Sequence, residues 1–488
     1  MAIRTVTGRT DRIVVVGSGF AGLAAALRLA GSGRQVTVCE RWSGPGGKAL
    51  PVLDGGYVFD GGPTVLTLPE LVADAMRCVG VNFEDRVELV PVDPVYRAVY
   101  ADGQRLDVIA DEDRMAAQIA GVCGAREADG YRRYVAFLRR LYECEFPAFI
   151  DRNMDGMGRL LTADLARLIG MGGFRSLESK VGQYLRDPRI RTLFTFQALY
   201  AGLSPARARA LYGIIAYLDT VAGAYVPRGG VHRLPAVLAE VAADHGVEFR
   251  YDTEVTGVRR GPGGRVEAVV TSQGEQIATD AVIITADPGV AFPELLHRPP
   301  PRVNYAPSCF VLQLGVRGEF GFDAHHTMNL GGSWKRSFAE LRTDGKTMGD
   351  PTFLVSVASK SDPALAPAGR LSMCVQVPVP NLGAALDWSE LAEPYRDQII
   401  ETMEKRGYSG IGSAIEVEHI LTPLDWAQRG NPLGTPFSAA QTFWQTGPFR
   451  TSNLVEDNIV LAGAGTHPGT GVPTALISGK LAAQRITG

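Results

Sequence analysis

The sequence predicts an α/β protein whose nucleotide-binding domain is assembled from both ends of the chain, with a second, α+β domain interleaved. Three observations carry this expectation. A buried-strand pattern at 13–16 runs into a glycine-rich loop and then an alanine-rich helix. A second strand pattern, 35–39, ends on an acid, Glu40. Near the other end, 458–473 repeats the order of strand, glycine-rich loop and helix start.

The first loop is Gly17-Ser18-Gly19-Phe20-Ala21-Gly22, a G-x-G-x-x-G between strand and helix. Gly17 permits the tight turn, Gly19 lets backbone approach a pyrophosphate, and Gly22 lets helix and strand pack closely. A phosphate at this point would sit on the positive end of the helix, among free N–H groups. Glu40 follows Gly22 by eighteen residues, the spacing at which a carboxylate accepts the ribose hydroxyls of an adenosine. Together these features specify a Rossmann-type unit.

A second glycine-rich stretch follows directly: Arg41, then Gly46-Gly47-Lys48, then Asp60-Gly61-Gly62-Pro63-Thr64. A nicotinamide-only domain would enter its next helix here, so the extra loop favours FAD. Lys48 is either a phosphate partner or an exposed side chain. Gly62 and Pro63 would let backbone pass close to a flat ring, or form an ordinary turn. At the far end, Gly463 and Gly471-Val472-Pro473 lead into a helix whose first N–H groups would face the pyrimidine edge of an isoalloxazine. Val255, opening a strand after the helix pattern 229–245, offers its backbone to an adenine edge. Two such loops at opposite ends imply one discontinuous FAD-binding domain, 10–100, 225–300 and 450–488. The segments 101–224, helical in pattern, and 301–449, rich in strands, form the substrate domain.

Composition narrows the class. The 488 residues suffice for about three domains, or two large interleaved ones. With 45% hydrophobic and 21% charged residues, a disordered or fibrous chain is excluded. A net charge of −3 without charge blocks gives no footing for nucleic acid. Cys39, Cys78, Cys123, Cys144, Cys309 and Cys374 show no metal or redox spacing, which predicts free thiols, no metal site and a reducing compartment. The first twelve residues lack the apolar core of a secretory signal, and the apolar stretch 211–226 is too short to span a bilayer and contains Asp219. A cytoplasmic location is expected.

On these motifs the sequence resembles the bacterial phytoene desaturases, FAD-dependent carotenoid desaturases of amine-oxidase-like, two-domain flavoprotein fold. The similarity also runs through 195–202, 226–230, 306–308 and 434–438, and is most specific in 463–473. Where that family often has Arg after the Gly-Gly pair, this chain has Lys48, which keeps the charge and loses the bidentate fork. The resemblance implies stepwise dehydrogenation of phytoene and its partly desaturated intermediates towards lycopene, in carotenoid biosynthesis. It further implies a peripheral association with the cytoplasmic membrane and quinone or oxygen as terminal electron acceptor. A C40 hydrocarbon needs an apolar tunnel, for which Phe194, Phe196, Tyr200, Tyr212, Tyr217, Phe443 and Trp444 are candidates. The segments 157–175 and 205–226 are candidates for an interfacial patch. No catalytic residue is assigned: His467 and Asp219 are possible proton acceptors or structural groups, and His325-His326 lacks a third metal ligand. Two other readings remain. The substrate is a hydroxylated or C30 carotenoid or another polyene, or the fold is a non-catalytic prenyl-lipid carrier; the intact glycine loops disfavour the carrier.

Overall fold

The computed structural model describes residues 3–156, 158, 161–199, 201–320 and 324–488. Tyr200 and the beginning of the expected 157–175 patch, at 157, 159 and 160, fall outside them.

The apolar strand Arg12–Val16 pairs in parallel with Gln35–Cys39 on one side and Ala281–Ile284 on the other. Glu248–Arg250 and Ile459–Leu461 extend this parallel sheet, and Leu454–Glu456 closes one edge antiparallel. All four residues of Ala281–Ile284 are buried, as a central parallel strand with both faces covered requires. The helices Phe20–Gly31, Arg233–Asp244 and Val472–Thr487 cover one face, their leucines, valines and alanines merging with Ile13, Val15 and Ile283. On the other face, Val14, Val282 and Ile284 meet Val255, Val266 and Val269 of the antiparallel sheet Val255–Arg260, Val266–Thr271 and Gln276–Ala278.

The second domain is built on a seven-stranded mixed sheet. Its spine is the pair Ser308–Arg317 and Arg370–Val379, in register from Ser308↔Val379 to Arg317↔Arg370. Period two divides their side chains. Phe310, Leu312, Leu314, Met373, Val375 and Val377 pack beneath the helix Trp388–Lys405, with Phe310 stacked on Trp388 at 5.8 Å between centroids. Cys309, Val311, Cys374 and Gln376 point the other way, into a cavity between the domains. The strand Tyr96–Val99 pairs with His326–Asn329 of this sheet, so the chain has crossed into the second domain before the boundary expected at 100.

The helical part is less regular than its pattern suggests. Ala125–Glu145 is a long amphipathic helix burying Tyr131, Tyr134, Phe137, Leu138 and Leu141. The stretch 205–226, by contrast, is broken into the 3-10 turn Ala210–Tyr212, the short helix Gly213–Tyr217 and the π-helical turn Leu218–Ala222, which Gly223 at φ 82° ends before the strand Tyr225–Pro227. In 157–175 the only α-helix among the described residues is Ala163–Gly170. All six cysteines are free. No helix among the described residues is long and apolar enough to cross a membrane.

The two ends of the chain are locked to the helical part by one buried ion pair. The Arg485 guanidinium, 1% exposed, donates to both oxygens of Asp155 at 2.6 and 2.8 Å, and also to Asn453 Oδ1 and to the Arg4 carbonyl. Removing one partner leaves a buried charge without compensation. Asp155→Ala is expected to destabilise the protein by about 3–5 kcal/mol, measured as a lowered urea midpoint.

Candidate functional site

Between the two sheets lies a cavity of about 1370 Å³. A single small ligand fills roughly 300–1,000 Å³, so the space suits more than one. One end is walled by the glycine loops of the parallel sheet. The other is walled by apolar side chains, among them Leu165, Leu168, Phe174, Phe196, Ile214 and Phe449.

At the first end, the turn from strand to helix is fixed by backbone contact. Gly17 has φ +100°, and a Cβ on it would stand 2.1 Å from Thr285 Oγ1. A Cβ on Gly22 would lie 2.0 Å from the Gly17 carbonyl oxygen, so helix and strand approach as closely as glycine allows. Gly19 is different. Its Cβ would meet no protein atom nearer than Gly47 Cα at 3.9 Å, so packing does not require glycine there. The backbone at 19 borders the cavity, and a bare backbone there serves what enters it.

Glu40 is buried at the end of Gln35–Cys39, because its own oxygens are already engaged. Ser18 donates its N–H and its hydroxyl to Glu40 Oε2, both at 2.8 Å, and the Trp42 N–H donates to Oε1 at 3.1 Å. The acid thereby ties the loop to the second strand while still lining the cavity. Beside it, Arg41 donates to the Arg429 carbonyl at 2.6 Å. The backbone of Val255, with Thr253 and Glu254, completes this end.

The loop 46–48 rests on the first one, the Gly46 N–H donating to the Ser18 carbonyl at 3.1 Å. Lys48, exposed at the cavity, reaches across to donate to the Pro436 carbonyl at 2.6 Å. Gly62, Pro63 and Thr64 line the cavity as well. The glycines there have a packing cause in addition to any ligand: a Cβ on Gly62 would lie 2.7 Å from the Lys48 carbonyl oxygen, and one on Gly61 1.8 Å from that of Leu50. Asp60, buried, accepts from the Val231 N–H at 3.1 Å, and burial pushes its carboxyl up to about 7.

Opposite, Gly463, Gly471, Val472 and Pro473 line the cavity where Val472–Thr487 begins. Helix geometry leaves the N–H groups of its first turn without intrahelical acceptors, and no hydrogen bond among the described residues takes up those of Gly471 and Val472. Of the residues singled out in the sequence for cofactor binding, all but Ser18 and Gly22 line one cavity; these two act behind its wall.

The remaining candidates separate. His467 lines the cavity, with Nε2 at 3.2 Å from the Ile150 carbonyl, Nδ1 without a partner, and its pKa lowered by burial to about 4. His325 and His326 are buried and uncharged, bonded to Ser361 and Thr64 rather than to a metal set, and no group of metal-ligating side chains occurs among the described residues. Phe196, Tyr212 and Phe443 line the cavity. Phe194 and Tyr217 do not: they are packed against Tyr131 at 5.7 Å and Tyr142 at 4.2 Å. Trp444 is 69% exposed beside Phe443. Sequence reasoning missed Glu145, Gln376 and Arg450, which line or border the site from distant segments. Arg450 is buried and donates to the Ala464 carbonyl at 2.5 Å, holding the loop that carries His467.

Comparison with known proteins agrees with this geometry. Residues 20–487 match the family model of flavin-containing amine oxidoreductases. A phytoene dehydrogenase of Streptomyces griseus is 50% identical, over 99% of this chain and 96% of that one. A zeta-carotene-forming phytoene desaturase of Myxococcus xanthus is 34% identical over 97% and 93%, and a lycopene-forming one of Pseudescherichia vulneris 31% over 97% and 98%. Among solved structures, an oxidoreductase from Methanosarcina mazei (TM-score 0.63, 14% identity, 96% and 99% covered) and a Rab GDI from Plasmodium falciparum (0.55, 10%, 98% and 98%) share the fold.

Gly19→Val fills the one open cradle without touching the strand–helix turn. The expected outcome is a folded, colourless protein, with circular dichroism unchanged and flavin absorbance lost.

Proposed function

We propose, from the premise that the chain belongs to the flavin-containing amine oxidoreductases and to their phytoene desaturase branch, that it dehydrogenates phytoene stepwise to lycopene. The observation that carries this reading is one continuous cavity with nucleotide loops at one end and an apolar wall at the other. The residues present fit FAD. Gly17, Gly19 and the start of Phe20–Gly31 would hold the pyrophosphate, Glu40 and Val255 the adenosine. Gly463, Gly471, Val472 and Pro473, with Gly62 to Thr64, would hold the ring. When bound, FAD supplies a two-electron acceptor of hydride character.

The protein's own part is binding, orientation and exclusion of water. A saturated bond flanked by alkenes loses its allylic hydrogen most readily, because the charge left behind is delocalised. Phytoene has no polar handle, so shape and apolar contact must set which bond faces the ring. Phe196, Leu168, Ile214 and Phe449 provide that contact. Three ionisable groups among them are held uncharged by burial: His326 far below its usual range, Tyr212 and Glu145 far above theirs. An uncharged wall is what a hydrocarbon can displace water from.

At the apolar end the lining includes the exposed side chains Ile169 and Phe443, and Trp444 is exposed beside Phe443. Phe174, Phe443, Trp444 and Phe449 touch ring to ring, and all but Trp444 also line the cavity. This continuity supports uptake of substrate from a membrane surface, with electrons leaving to a quinone or oxygen. A lipid carrier on the same fold would have no use for the open cradle at Gly19.

Expression in cells that accumulate phytoene is expected to yield lycopene, identified by its visible spectrum and chromatographic retention; ζ-carotene or neurosporene would fix a shorter reaction. For the membrane contact, the double variant Ile169→Ser, Trp444→Ser is expected to weaken co-sedimentation with phosphatidylcholine liposomes at least about tenfold, with flavin content unchanged.

A further inference from the structure

Each desaturation removes a hydride and a proton, and the hydrocarbon holds no group to take the proton. The structure narrows the choice of acceptor. Among the described residues, the acids lining the cavity are Glu40, Asp60, Glu145, Asp219, Glu254, Asp287 and Glu294. Glu254 and Glu294 are exposed at the adenosine end. Glu40 is taken up by Ser18 and Trp42, Asp287 by Gly289, Tyr305 and Ser438, and Asp60 by the Val231 N–H. Each of these fixes a loop. Glu145 is buried with Oε2 unpartnered, and burial keeps its proton on, so it has no room for another.

Asp219 stands apart. It projects from the π-helical turn Leu218–Ala222, and Leu211, Ile214, Ile215, Leu218 and Phe196 line the cavity around it. Gln197 lies beside its carboxylate. Gln197 is itself buried, with Nε2 within reach of the Leu193 carbonyl at 3.3 Å and the Tyr96 hydroxyl at 3.4 Å. A one-turn π-helix costs helical geometry and recurs at functional sites.

We propose that Asp219 is the proton acceptor of the desaturation. Its carboxylate takes a proton from the carbon next to the one that gives up hydride. The C–H bonding pair becomes the new C=C bond, and the hydride goes to the bound flavin. This rests on the desaturase reading above. Burial, opposed by Gln197, pushes the carboxyl up to about 7, so the ionised form is present at neutral pH and is a stronger base than an exposed carboxylate. Ionisable groups on the surrounding elements are Tyr96, Glu145, Tyr212, Tyr217 and His326. Burial holds Glu145, Tyr212, Tyr217 and His326 in their uncharged forms, and no charged side chain contributes to the shift at Asp219.

The test uses the flavin-loaded full chain and phytoene in phosphatidylcholine liposomes. Wild-type kcat/KM is expected to rise with pH through a limb near 7. Asp219→Asn should lose about 10²–10⁴-fold in rate together with that limb, at unchanged flavin absorbance, and Asp219→Glu should keep the limb and part of the rate. Independently of turnover, the infrared difference between wild type and Asp219→Asn should hold a protonated-carboxyl band that titrates near pH 7, in excess of the band that Asp60 contributes to both. An Asp219→Asn enzyme within a few-fold of wild type overturns the assignment, as does a difference spectrum without that band. A limb near 4 in place of 7 overturns it in favour of His467. Should Asp219→Asn fail to fold, the pH profile of Asp219→Glu and its infrared difference from the wild type decide. A wild type that oxidises no polyene overturns the desaturase reading instead, whatever the infrared titration shows.

Discussion

The close approach of backbone at Gly17 and Gly22 is the constraint on which the rest of the molecule depends. With Gly22 against the Gly17 carbonyl and Gly17 against Thr285, helix and strand meet without intervening side chains. That contact aims the start of Phe20–Gly31 at the cavity and leaves Gly19 bare beside it. It also brings Thr285, which follows the strand Ala281–Ile284, and hence the neighbouring strand Ile459–Leu461, to the same edge. Both glycine-rich loops thus open at the carboxyl ends of adjacent parallel strands, the edge where α/β sheets bind nucleotides.

The loops were legible in the sequence because their chemistry is local. A turn that only glycine can make, an acid at a strand end and a helix start are each encoded within a few residues. The apolar end of the cavity was not legible, for the opposite reason. Its wall comes from 145–174, 196–219, 309–376 and 437–449, and nothing within any one of these segments says which side chains face inward. Phe194 and Phe196 are two residues apart, yet one is stacked on Tyr131 and the other lines the cavity. In Ser308–Arg317 and Arg370–Val379 period two separates the faces, and there the inward residues are Cys309, Val311, Cys374 and Gln376, small or polar types that no search for a hydrocarbon tunnel would select, with Gln313 on the same face behind the cavity wall. Gln313 faces inward because its amide holds the Asp60 carbonyl at 2.9 Å.

The same contrast governs charge. Charged side chains cluster at the nucleotide end, where Lys48, Asp287, Arg450 and Glu40 are each engaged with backbone or hydroxyl groups. Away from it, Glu145, Tyr212 and His326 are buried and neutral, and Asp219 is the exception. A dianionic pyrophosphate and a hydrocarbon need opposite surroundings, and the protein accommodates both by grading polarity along one space. His467 and Tyr212 stand at the transition.

Interleaving has a consequence for biosynthesis. Residues 454–487 supply an edge of the parallel sheet and the helix that caps the cavity, and in translation they follow everything else they touch. Until they are made, the helix Phe20–Gly31 lacks its packing partner Val472–Thr487 and the cavity lacks the loop 463–473. The nucleotide site is therefore assembled from the earliest and the latest parts of the chain, and a nascent chain that stops short of residue 463 has no complete place for the flavin.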